Sequence, residues 1–577
     1  MTLDEVRGRT APPLRDQWTR VAQETVDQLA ADPWGHSSVS VYETARLVSR
    51  APWLAGHHAR IRYLVASQQP DGSWGMPGGY ALVPTLSATE ALLGVVGPTS
   101  EPTGRVLADT LPATQLAAAA DRGLAAARKL LTAAAAGGLA DTPAVDLIVP
   151  ALITAVNRRL RPGCDSVPAA GQPPLRLPPP LDSGRPQAVR TLLATGRELP
   201  IKLLHAFEAL DEEWTAAPQI GSQRIGSQQA GWRRAGWRQA GSPVAVEVTP
   251  EACGTIGGSP AATAAWLAAG GSSVPDRPGA GAARRYLDSV VRRHTGPVPC
   301  AAPIATFERA WVLAALLRAD VPVLVPPELA ASLRDAVTPD GATAGAGLPP
   351  DADTTAVVLH ALALLGQPAD PTALLAFQAG DHFATWPGED GASVTTNAHV
   401  LDAFSASDVV GAVAGRRHTS WLAVHRRAVT NWLCDQQQPD GSWQDRWHAS
   451  PYYATATCAL ALHAGGVGAR AAAAVLRSVD WVLRTQRADG SWGRWYGTGE
   501  ETGYALHVLL ATADPPSRRM LRAARAGSAH LGRSDADTGP PLWHDKDLYR
   551  PGRVVRATIT AAGHLVHTMA TGVNRHA

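Results

Sequence analysis

The sequence lacks the features that membrane-spanning, disulfide-rich and zinc-binding proteins depend on. No stretch of 18 or more apolar residues runs free of charge, so we expect no segment that inserts stably into a membrane. Five cysteines are scattered over 577 residues without a C-x-x-C pair, which argues against structural zinc and favours a reducing, cytoplasmic location. The charged N-terminus has no apolar core of a signal peptide.

Charge and aromatic content restrict the function classes further. The formal net charge is only +2, so we expect no nucleic-acid partner. Phenylalanine is scarce, with 5 residues, whereas tryptophan is abundant, with 18. This bias indicates a repeated tryptophan motif, an indole-lined pocket, or both. Hydrophobic residues make up 45%, enough for a large core, and the length favours two domains.

One motif recurs along the chain, as QQPDGSWG at 68–75, QQPDGSW at 437–443 and QRADGSWG at 486–493. Each copy follows an amphipathic run with helical spacing of its apolar residues, and its glycine is a helix-ending signal. Strand-like alternation is almost absent. We therefore predict an all-α fold of helix pairs arranged as α–α barrels. The repeats are interpreted as staples, in which Gln and Asp hold helix ends and Trp packs beneath.

Two segments depart from this pattern. Residues 220–241, IGSQRIGSQQAGWRRAGWRQAG, repeat IGSQ and AGWR and are rich in Gly, Gln and Arg. Such low complexity predicts an inserted loop without a packed core. The proline-rich run at 161–187 is interpreted as a connection.

Distinctive segments stand along nearly the whole chain, from SSVSVYETARLVS (37–49) through DADTTAVV (351–358) to LWHDKDLYRPGRVVRA (542–557). In this order they resemble signatures of bacterial class II terpene cyclases of the drimenyl and copalyl diphosphate synthase kind. The resemblance implies two α–α barrel domains, called β and γ in that family. We assign residues 1–39 to the N-terminal part of the β domain, 40–290 to the γ domain and 291–577 to the remainder of the β domain. The matching segments are SSVSVYETARLVS (37–49), KLLHAFEAL (202–210), GTIGGSPAATAAWL (254–267), DADTTAVV (351–358), ASVTTNAHVL (392–401), WHASPYYATA (447–456), GTGEETGYAL (497–506) and LWHDKDLYRPGRVVRA (542–557).

The DADTT segment at 351–355 is the predicted source of the chemistry. Class II cyclisation begins with protonation of an alkene, which is a very poor base. The acid must therefore hold its proton before the reaction and still be strong enough to transfer it. Burial keeps a carboxyl protonated, and a helix N-terminus stabilises the anion left behind. The resemblance implies that Asp353 is the proton donor, Asp351 a supporting carboxyl and Asn397 the hydrogen-bond partner of the acid. The alternative role of Asp351 is a helix N-cap.

The remaining candidate residues would bind substrate. Trp311 and Tyr452 are candidates for stabilising a carbocation by cation–π attraction, with ordinary core packing as the alternative. Lys546 and Arg553 belong to a C-terminal basic cluster that could hold a diphosphate, with a solvated face as the alternative. His205 matches one member of a family pair that holds a quenching water, although a packed core histidine is the alternative.

Magnesium is expected from the resemblance, as the ion that accompanies a diphosphate. The corresponding stretch, AAAGGLADTP (134–143), is nearly free of acids. Asp141 lies in this stretch and Asp146 just after it; only these two are available, and we predict Asp146 as the magnesium ligand.

Missing motifs limit the reaction. Neither DDxxD nor N-x-x-x-S-x-x-x-E occurs, so the product should keep its diphosphate. In the family that the chain resembles, many members carry a third Asp where Thr354 stands, and the Asp-x-Asp-Thr-Thr form recurs in enzymes making drimane sesquiterpenes. The resemblance therefore favours farnesyl diphosphate as substrate and drimenyl diphosphate as product. The alternative substrate is geranylgeranyl diphosphate, which would give a copalyl- or halimadienyl-type diphosphate. A third possibility within the same class is a squalene-type triterpene cyclase. Two alternative functions lie outside the terpene cyclases. The chain could be a glycan-processing enzyme built on a helical barrel, or a non-catalytic binding module. The sequence does not indicate which oligomeric state the protein adopts.

Overall fold

The computed structural model describes residues 14–96, 111–161, 172–179, 200–210, 248–269, 277–413, 420–513, 515–533 and 538–571, together with isolated residues between 181 and 191. The predicted insertion at 220–241 lies outside the described residues. None of the described helices combines the length and the apolar character needed to cross a bilayer.

Helices make up most of the described chain, which confirms the all-α prediction. They are α1 (Leu14–Ala31), α2 (Val41–Arg50), α3 (His57–Ala66), α4 (Leu82–Val96), α5 (Ala113–Ala135), α6 (Val145–Arg159), α7 (Pro260–Ala268), α8 (Ala280–Arg293), α9 (Ala305–Arg318), α10 (Pro327–Ala336), α11 (Ala352–Leu364), α12 (Val394–Val413), α13 (Ser420–Asp435), α14 (Pro451–Gly465), α15 (Ala469–Thr485), α16 (Gly499–Ala511), α17 (Arg518–Leu531) and α18 (Gly552–Thr571). Two 3₁₀ segments, Ile201–Ala209 and Pro371–Phe377, complete the set.

Within the described ranges, three antiparallel pairs of two-residue strands connect these helices. They are β1 (Ala342–Thr343) with β2 (Pro350–Asp351), β3 (Gln378–Ala379) with β4 (His382–Phe383), and β5 (Trp543–His544) with β6 (Leu548–Tyr549). In the first pair Ala342 lies opposite Asp351, and in the third Trp543 lies opposite Tyr549.

The first ring of helices has five inner elements. In the order α2, α4, α6, Ile201–Ala209 and α7 each element packs on the next, and α7 returns to α2. Helices α3, α5 and α8 pack outside them. Trp74, Leu86 and Ile148 lie in its core with no exposed surface.

The second ring has six inner helices, α9, α11, α12, α14, α16 and α18, with α18 closing onto α9. Helices α1, α10, α13, α15 and α17 pack outside. Because α1 packs on α18 and α9, the chain begins in the second ring, leaves it for the first and then returns. The barrel architecture is as predicted, and the residue limits of the two domains stay predictions.

The DGSW repeats act as the predicted staples. The Nε2 of Gln437 donates to the carbonyl oxygens of Gly441 and Ala474, each at 2.9 Å, and Nε1 of Trp443 donates to that of Leu433 at 2.9 Å. The copies at Gln68 and Gln486 make the same bonds. Gly441 has φ +96°, and a Cβ there would lie 2.5 Å from the carbonyl oxygen of Arg477, so only glycine fits.

The end of the second ring at which its inner helices begin, called here the mouth, faces the first ring. The carboxylate of Asp547, beside β6, accepts hydrogen bonds from Ser40 Oγ at 2.7 Å and from the backbone N–H of Tyr42 at 3.0 Å. The ring of Tyr80, from the first ring, lies 5.0 Å from that of His544. The acid motif at the start of α11 therefore opens towards the junction of the two rings.

Candidate active site

Asp351 ends β2 and caps α11. Its carboxylate oxygens accept from the backbone N–H of Thr354 at 2.6 Å and from the Thr354 hydroxyl at 2.9 Å. The residue is buried, with 6% of its surface exposed. Burial raises the pKa of Asp351 to about 8, helped by the neighbouring Asp353 and opposed by the bonds from Thr354. Asp351 is thus an N-cap and also a carboxyl that stays protonated at neutral pH.

Asp353 lies in the first turn of α11, and its carboxyl meets a histidine. Oδ1 of Asp353 is 2.6 Å from Nδ1 of His399 on α12. The two side chains are largely buried, with 15% and 13% exposed. The imidazole edge packs against the face of Trp311, with ring centroids 5.5 Å apart. His399 is therefore the residue that orients the predicted acid, and the sequence analysis missed it.

Asn397, the expected partner of the acid, is used elsewhere. Its Oδ1 accepts from the N–H of Phe383 at 2.8 Å, and its Nδ2 donates to the carbonyl oxygens of Phe383 and Ser393 at 2.9 and 2.8 Å. These three bonds engage both the amide oxygen and the amide nitrogen, and they hold β4 against the start of α12. The structure corrects the prediction, since His399 and not Asn397 bonds to Asp353.

An aromatic wall surrounds the Asp353–His399 pair at the mouth. Nε1 of Trp311 donates to the Tyr453 hydroxyl at 3.3 Å, and its ring packs 4.5 Å from that of Phe307. The Tyr453 ring lies 5.3 Å from Tyr504 and 4.9 Å from Trp543. The structure thus places Trp311 beside the acid as one member of a continuous set of aromatic faces.

Tyr452 is not part of this wall. Its ring packs 4.7 Å from that of Trp481 on the outer helix α15, so its side chain faces away from the ring axis. The adjacent Tyr453 lines the cavity instead. This geometry does not support the predicted substrate contact of Tyr452.

A buried carboxylate that the sequence analysis missed supports the wall. Oε1 of Glu500 accepts from Nε1 of Trp543 at 2.9 Å and from the Tyr504 hydroxyl at 3.2 Å, and it lies 3.3 Å from Nε2 of His448. Only 4% of Glu500 is exposed. This residue fixes the orientation of three rings.

A cavity begins beneath the Asp353–His399 pair and runs along the axis of the second ring. It encloses about 720 Å³, counting its opening to solvent. Its upper part is mostly apolar and includes Trp311, Val357 and Ala456, whereas its lower part carries Arg318 and Asp402. The acid therefore stands between an aromatic mouth and a cavity with a charged far end.

Lys546 does not reach the mouth as a free cation. Its ammonium group has no exposed surface and donates to Glu208 at 2.7 Å, to Ser259 Oγ at 2.8 Å and to the carbonyl oxygen of His205 at 2.7 Å. It also forms an ion pair with Glu43. Burial lowers the pKa of Lys546, but the two glutamates outweigh burial and hold it above its usual value. Its predicted role in diphosphate binding is replaced by a structural role between the rings.

Arg553 is likewise held by carboxylates of the protein. Its guanidinium donates to Glu308 at 2.8 Å and to Asp32 at 2.9 Å, and 12% of the side chain is exposed. Arg553 thereby joins α18 to α9 and to the end of α1. The structure does not support Arg553 as a diphosphate ligand, because both terminal nitrogens of its guanidinium group already bond to carboxylates.

His205 is also part of the junction between the rings. Nδ1 lies 2.6 Å from the carbonyl oxygen of Gly257, and Nε2 lies 2.7 Å from Oδ1 of Asp545. Both partners only accept, so both ring nitrogens carry protons. Burial lowers the pKa of His205, but Asp545 outweighs it and the net shift is upward. Both ring nitrogens are thus engaged by the protein, so neither is left to hold a quenching water in this arrangement.

The residues predicted for magnesium do not form a metal cage. Among the described residues there is no group of three or more His, Cys, Asp or Glu side chains that could hold a metal ion. Asp146 lies in the first turn of α6, and Asp141 pairs with Arg446 at 3.1 Å. Magnesium binding at Asp146 therefore stays a prediction.

Comparisons with known proteins agree with this geometry. Residues 390–527 match the family model of the squalene-hopene cyclase C-terminal domain. The chain is 43% identical over 540 residues to an ent-copalyl diphosphate synthase of Streptomyces sp. (strain KO-3988), covering 93% of this chain and 94% of that protein. It is 38% identical over 572 residues to a copalyl diphosphate synthase of Streptomyces cyslabdanicus, covering 96% and 98%.

A solved structure covers the whole fold. The ent-copalyl diphosphate synthase from Streptomyces platensis superimposes with a TM-score of 0.80 at 40% identity, over 96% of this chain and 100% of that one. Two helical rings with an acid at their junction define a protonation-initiated cyclase. The chain belongs to the bacterial class II terpene cyclases, and it is an enzyme.

Proposed function

We propose that this enzyme cyclises geranylgeranyl diphosphate to a bicyclic, copalyl-type diphosphate. The observation that carries the proposal is the buried Asp353–His399 pair beneath an aromatic wall. The full-length relatives at 43% and 38% identity are named for copalyl diphosphates, which contain twenty carbons. These names favour the C20 alternative over the farnesyl substrate that Thr354 suggested. The Thr354 hydroxyl bonds to Asp351, so its presence has a local explanation unrelated to substrate length.

Asp353 is assigned as the proton donor. His399 has its Nδ1 against Oδ1 of Asp353, which leaves Oδ2 to carry the proton towards the terminal alkene. As the proton leaves, the N–H of His399 and the N-terminal dipole of α11 stabilise the carboxylate. Asp351 remains protonated in its buried position, so no second negative charge opposes the new anion.

The carbocation formed next needs a wall that attracts positive charge and does not react. The faces of Trp311, Tyr453, Tyr504 and Trp543 supply this attraction through their π electrons. Glu500 holds two of these side chains in place through their N–H and O–H groups. The diphosphate stays on the product, because ionising it requires the metal-binding motifs of class I enzymes, which the sequence lacks.

Magnesium stays a prediction. Since the described carboxylates form no cage, the ion would arrive as the counter-ion of the substrate's diphosphate. Full loss of activity with EDTA and recovery with Mg²⁺ would support this role. Activity that EDTA leaves unchanged would contradict it.

The test is to incubate the purified protein separately with geranylgeranyl diphosphate, farnesyl diphosphate and squalene, to dephosphorylate the products and to identify them by gas chromatography and mass spectrometry. A bicyclic C20 alcohol, absent with Asp353→Asn, is the expected result. Asp435→Asn is a matched control, because Asp435 forms an exposed pair with Arg470 on the outside of the second ring. A product from farnesyl diphosphate alone, from squalene alone, or from none of the three would overturn the proposal.

A further inference from the structure

Glu500 is a buried carboxylate without a cation beside it. Only 4% of its surface is exposed, yet no Lys or Arg of the described chain forms an ion pair with it. The group within ion-pair distance is His448, whose Nδ1 accepts from the backbone N–H of Ser450 at 3.0 Å, so the imidazole is neutral. Glutamates are almost never fully buried unless they are paired, because leaving water costs free energy. An unpaired carboxylate at this position therefore needs a reason beyond packing.

Hydrogen-bond donors stabilise the negative charge of Glu500 in this apolar environment. Nε1 of Trp543 at 2.9 Å, the Tyr504 hydroxyl at 3.2 Å and Nε2 of His448 at 3.3 Å all face its Oε1. Burial and the charge of Glu500 raise the pKa of Tyr504 well above its usual value, so the hydroxyl keeps the proton that it donates. Glu500 also lies in the first turn of α16, where the helix dipole favours a negative charge. The protein thus holds an anion here by dipoles and not by a counter-ion.

Glu500 lies across the mouth from the acid. The six inner helices of the second ring follow in the order α9, α11, α12, α14, α16 and α18, so α11 and α16 are opposite each other. Asp353 lies in the first turn of α11 and Glu500 in the first turn of α16, at the same end of the ring. With neighbouring helices about 8–10 Å apart, opposite axes in such a ring are roughly 16–20 Å apart. A hydrocarbon held in the mouth therefore has the proton donor on one side and a carboxylate on the other.

Two of the side chains that bond to Glu500 belong to the aromatic wall. The rings of Trp543 and Tyr504 lie 4.9 and 5.3 Å from that of Tyr453. A carboxylate that accepts from an indole N–H or a phenol O–H increases the electron density of the ring, and an electron-rich face attracts a cation more strongly. The charge also attracts a cation directly, and this attraction is stronger in a dry site than in water. Glu500 therefore acts on a positive charge at the wall in two ways.

We propose that Glu500 is the counter-charge of the cyclising carbocation and acts on it through Trp543 and Tyr504. The inference rests on the proposed function, in which Asp353 protonates the terminal alkene and each ring closure moves the positive charge further along the chain. The carboxylate left at Asp353 attracts the cation back, and Glu500 opposes that attraction from the other side of the mouth. Ring closure is thereby favoured over return of the proton to Asp353. The neutral substrate carries no charge at this wall, so Glu500 acts on kcat and not on KM.

Glu500→Gln tests the charge, because the amide keeps an oxygen that accepts from Trp543 and Tyr504. With geranylgeranyl diphosphate we expect kcat to fall about 10- to 100-fold and KM to stay within about twofold of wild type, since the attraction acts on the cationic transition state. The unfolding midpoint in urea should equal that of wild type or rise, because a buried unpaired charge has been removed. Asp435→Asn, at an exposed pair with Arg470, is the control and should match wild type in all three quantities.

A charged ligand separates the electrostatic role from a structural one. The ligands are a bicyclic ammonium diphosphate that mimics the cation and its neutral bicyclic isostere, each titrated by calorimetry. For Glu500→Gln the Kd of the ammonium compound should rise about 10-fold or more, whereas that of the neutral isostere should stay within about twofold. Glu500→Asp keeps the charge and should retain most of the affinity for the ammonium compound.

Two results would overturn the proposal. Equal weakening of both ligands in Glu500→Gln would assign Glu500 a purely structural role as the residue that orients the rings. A kcat of Glu500→Gln equal to that of wild type would show that the charge has no part in the reaction. If the wild-type enzyme itself makes no C20 product, the proposed function fails and the counter-charge fails with it. That result is read in wild type, whereas failure of the counter-charge alone is read in Glu500→Gln beside an active wild type.

Discussion

The carboxyl of Asp353 and the imidazole of His399 face each other across two adjacent inner helices, α11 and α12, at 2.6 Å. The pair lies between the aromatic mouth, which faces the first ring, and the cavity behind it. His399 contacts only one oxygen of the carboxyl, Oδ1, so in the proposed mechanism Oδ2 carries the proton.

Replacing Asp353 with Asn should remove cyclisation while leaving the fold intact. The amide keeps the shape of the side chain but has no acidic proton, and a positioned acid contributes about 10² to 10⁴ in rate. We expect kcat to fall by about 10³ or more with an unchanged unfolding midpoint. Residual turnover within tenfold of wild type would show that another group donates the proton.

Replacing His399 with Ala should lower kcat and leave KM nearly unchanged. A hydrogen bond to a charged group is worth about 1.5–3 kcal/mol, and this one strengthens as Asp353 becomes negative. The expected loss is about 10- to 150-fold in kcat. His399→Gln retains an N–H donor and should recover part of the rate. Loss through KM alone would indicate that His399 contacts substrate instead.

Lys546→Met should destabilise the protein and should not weaken diphosphate binding. The substitution leaves Glu43 and Glu208 buried without their counter-ion, which typically costs about 3–5 kcal/mol. Chemical denaturation measures this loss, and Arg470→Met, at an exposed pair, is the control, for which we expect the unfolding free energy to stay nearly unchanged. A raised KM in a protein of normal stability would instead restore Lys546 as a diphosphate ligand.

The stability contributed by Asp351 should depend on pH. Its pKa of about 8 in the folded protein exceeds the ordinary value of 3.8, so the folded state holds the proton more tightly than the unfolded chain. The contribution is therefore complete below about pH 4 and is lost as the pH rises to about 8. Asp351→Asn keeps a good N-cap and has no titrating proton.

The unfolding free energy of wild type minus that of Asp351→Asn should accordingly decrease between pH 4 and 8, by at most about 1.4 kcal/mol per pH unit. Denaturant unfolding of both proteins at several pH values measures this difference. A difference that stays constant, or grows with pH, would mean that Asp351 is ionised in the folded state.

The local features of this protein follow from its sequence. The helical spacing of apolar residues predicted the all-α fold, and the DGSW repeats predicted staples whose Gln and Trp bonds the structure contains. The N-cap at Asp351 was also predictable, because a cap bonds to a backbone N–H only three residues away. In each case the interacting groups are close in the chain, so residue order alone determines them.

The partners of the functional side chains depend on tertiary structure. Asn397 and His399 are two residues apart and point about 200° from each other on a helix with 3.6 residues per turn, so only the packing of α12 on α11 decides which one meets Asp353. A rotation of about 100°, the step between adjacent residues of a helix, separates the inward Tyr453 from the outward Tyr452. Lys546 looks free in the sequence because its carboxylate partners, Glu43 and Glu208, are hundreds of residues away. Burial makes such pairing obligatory for a charge, and burial is a property of the folded chain.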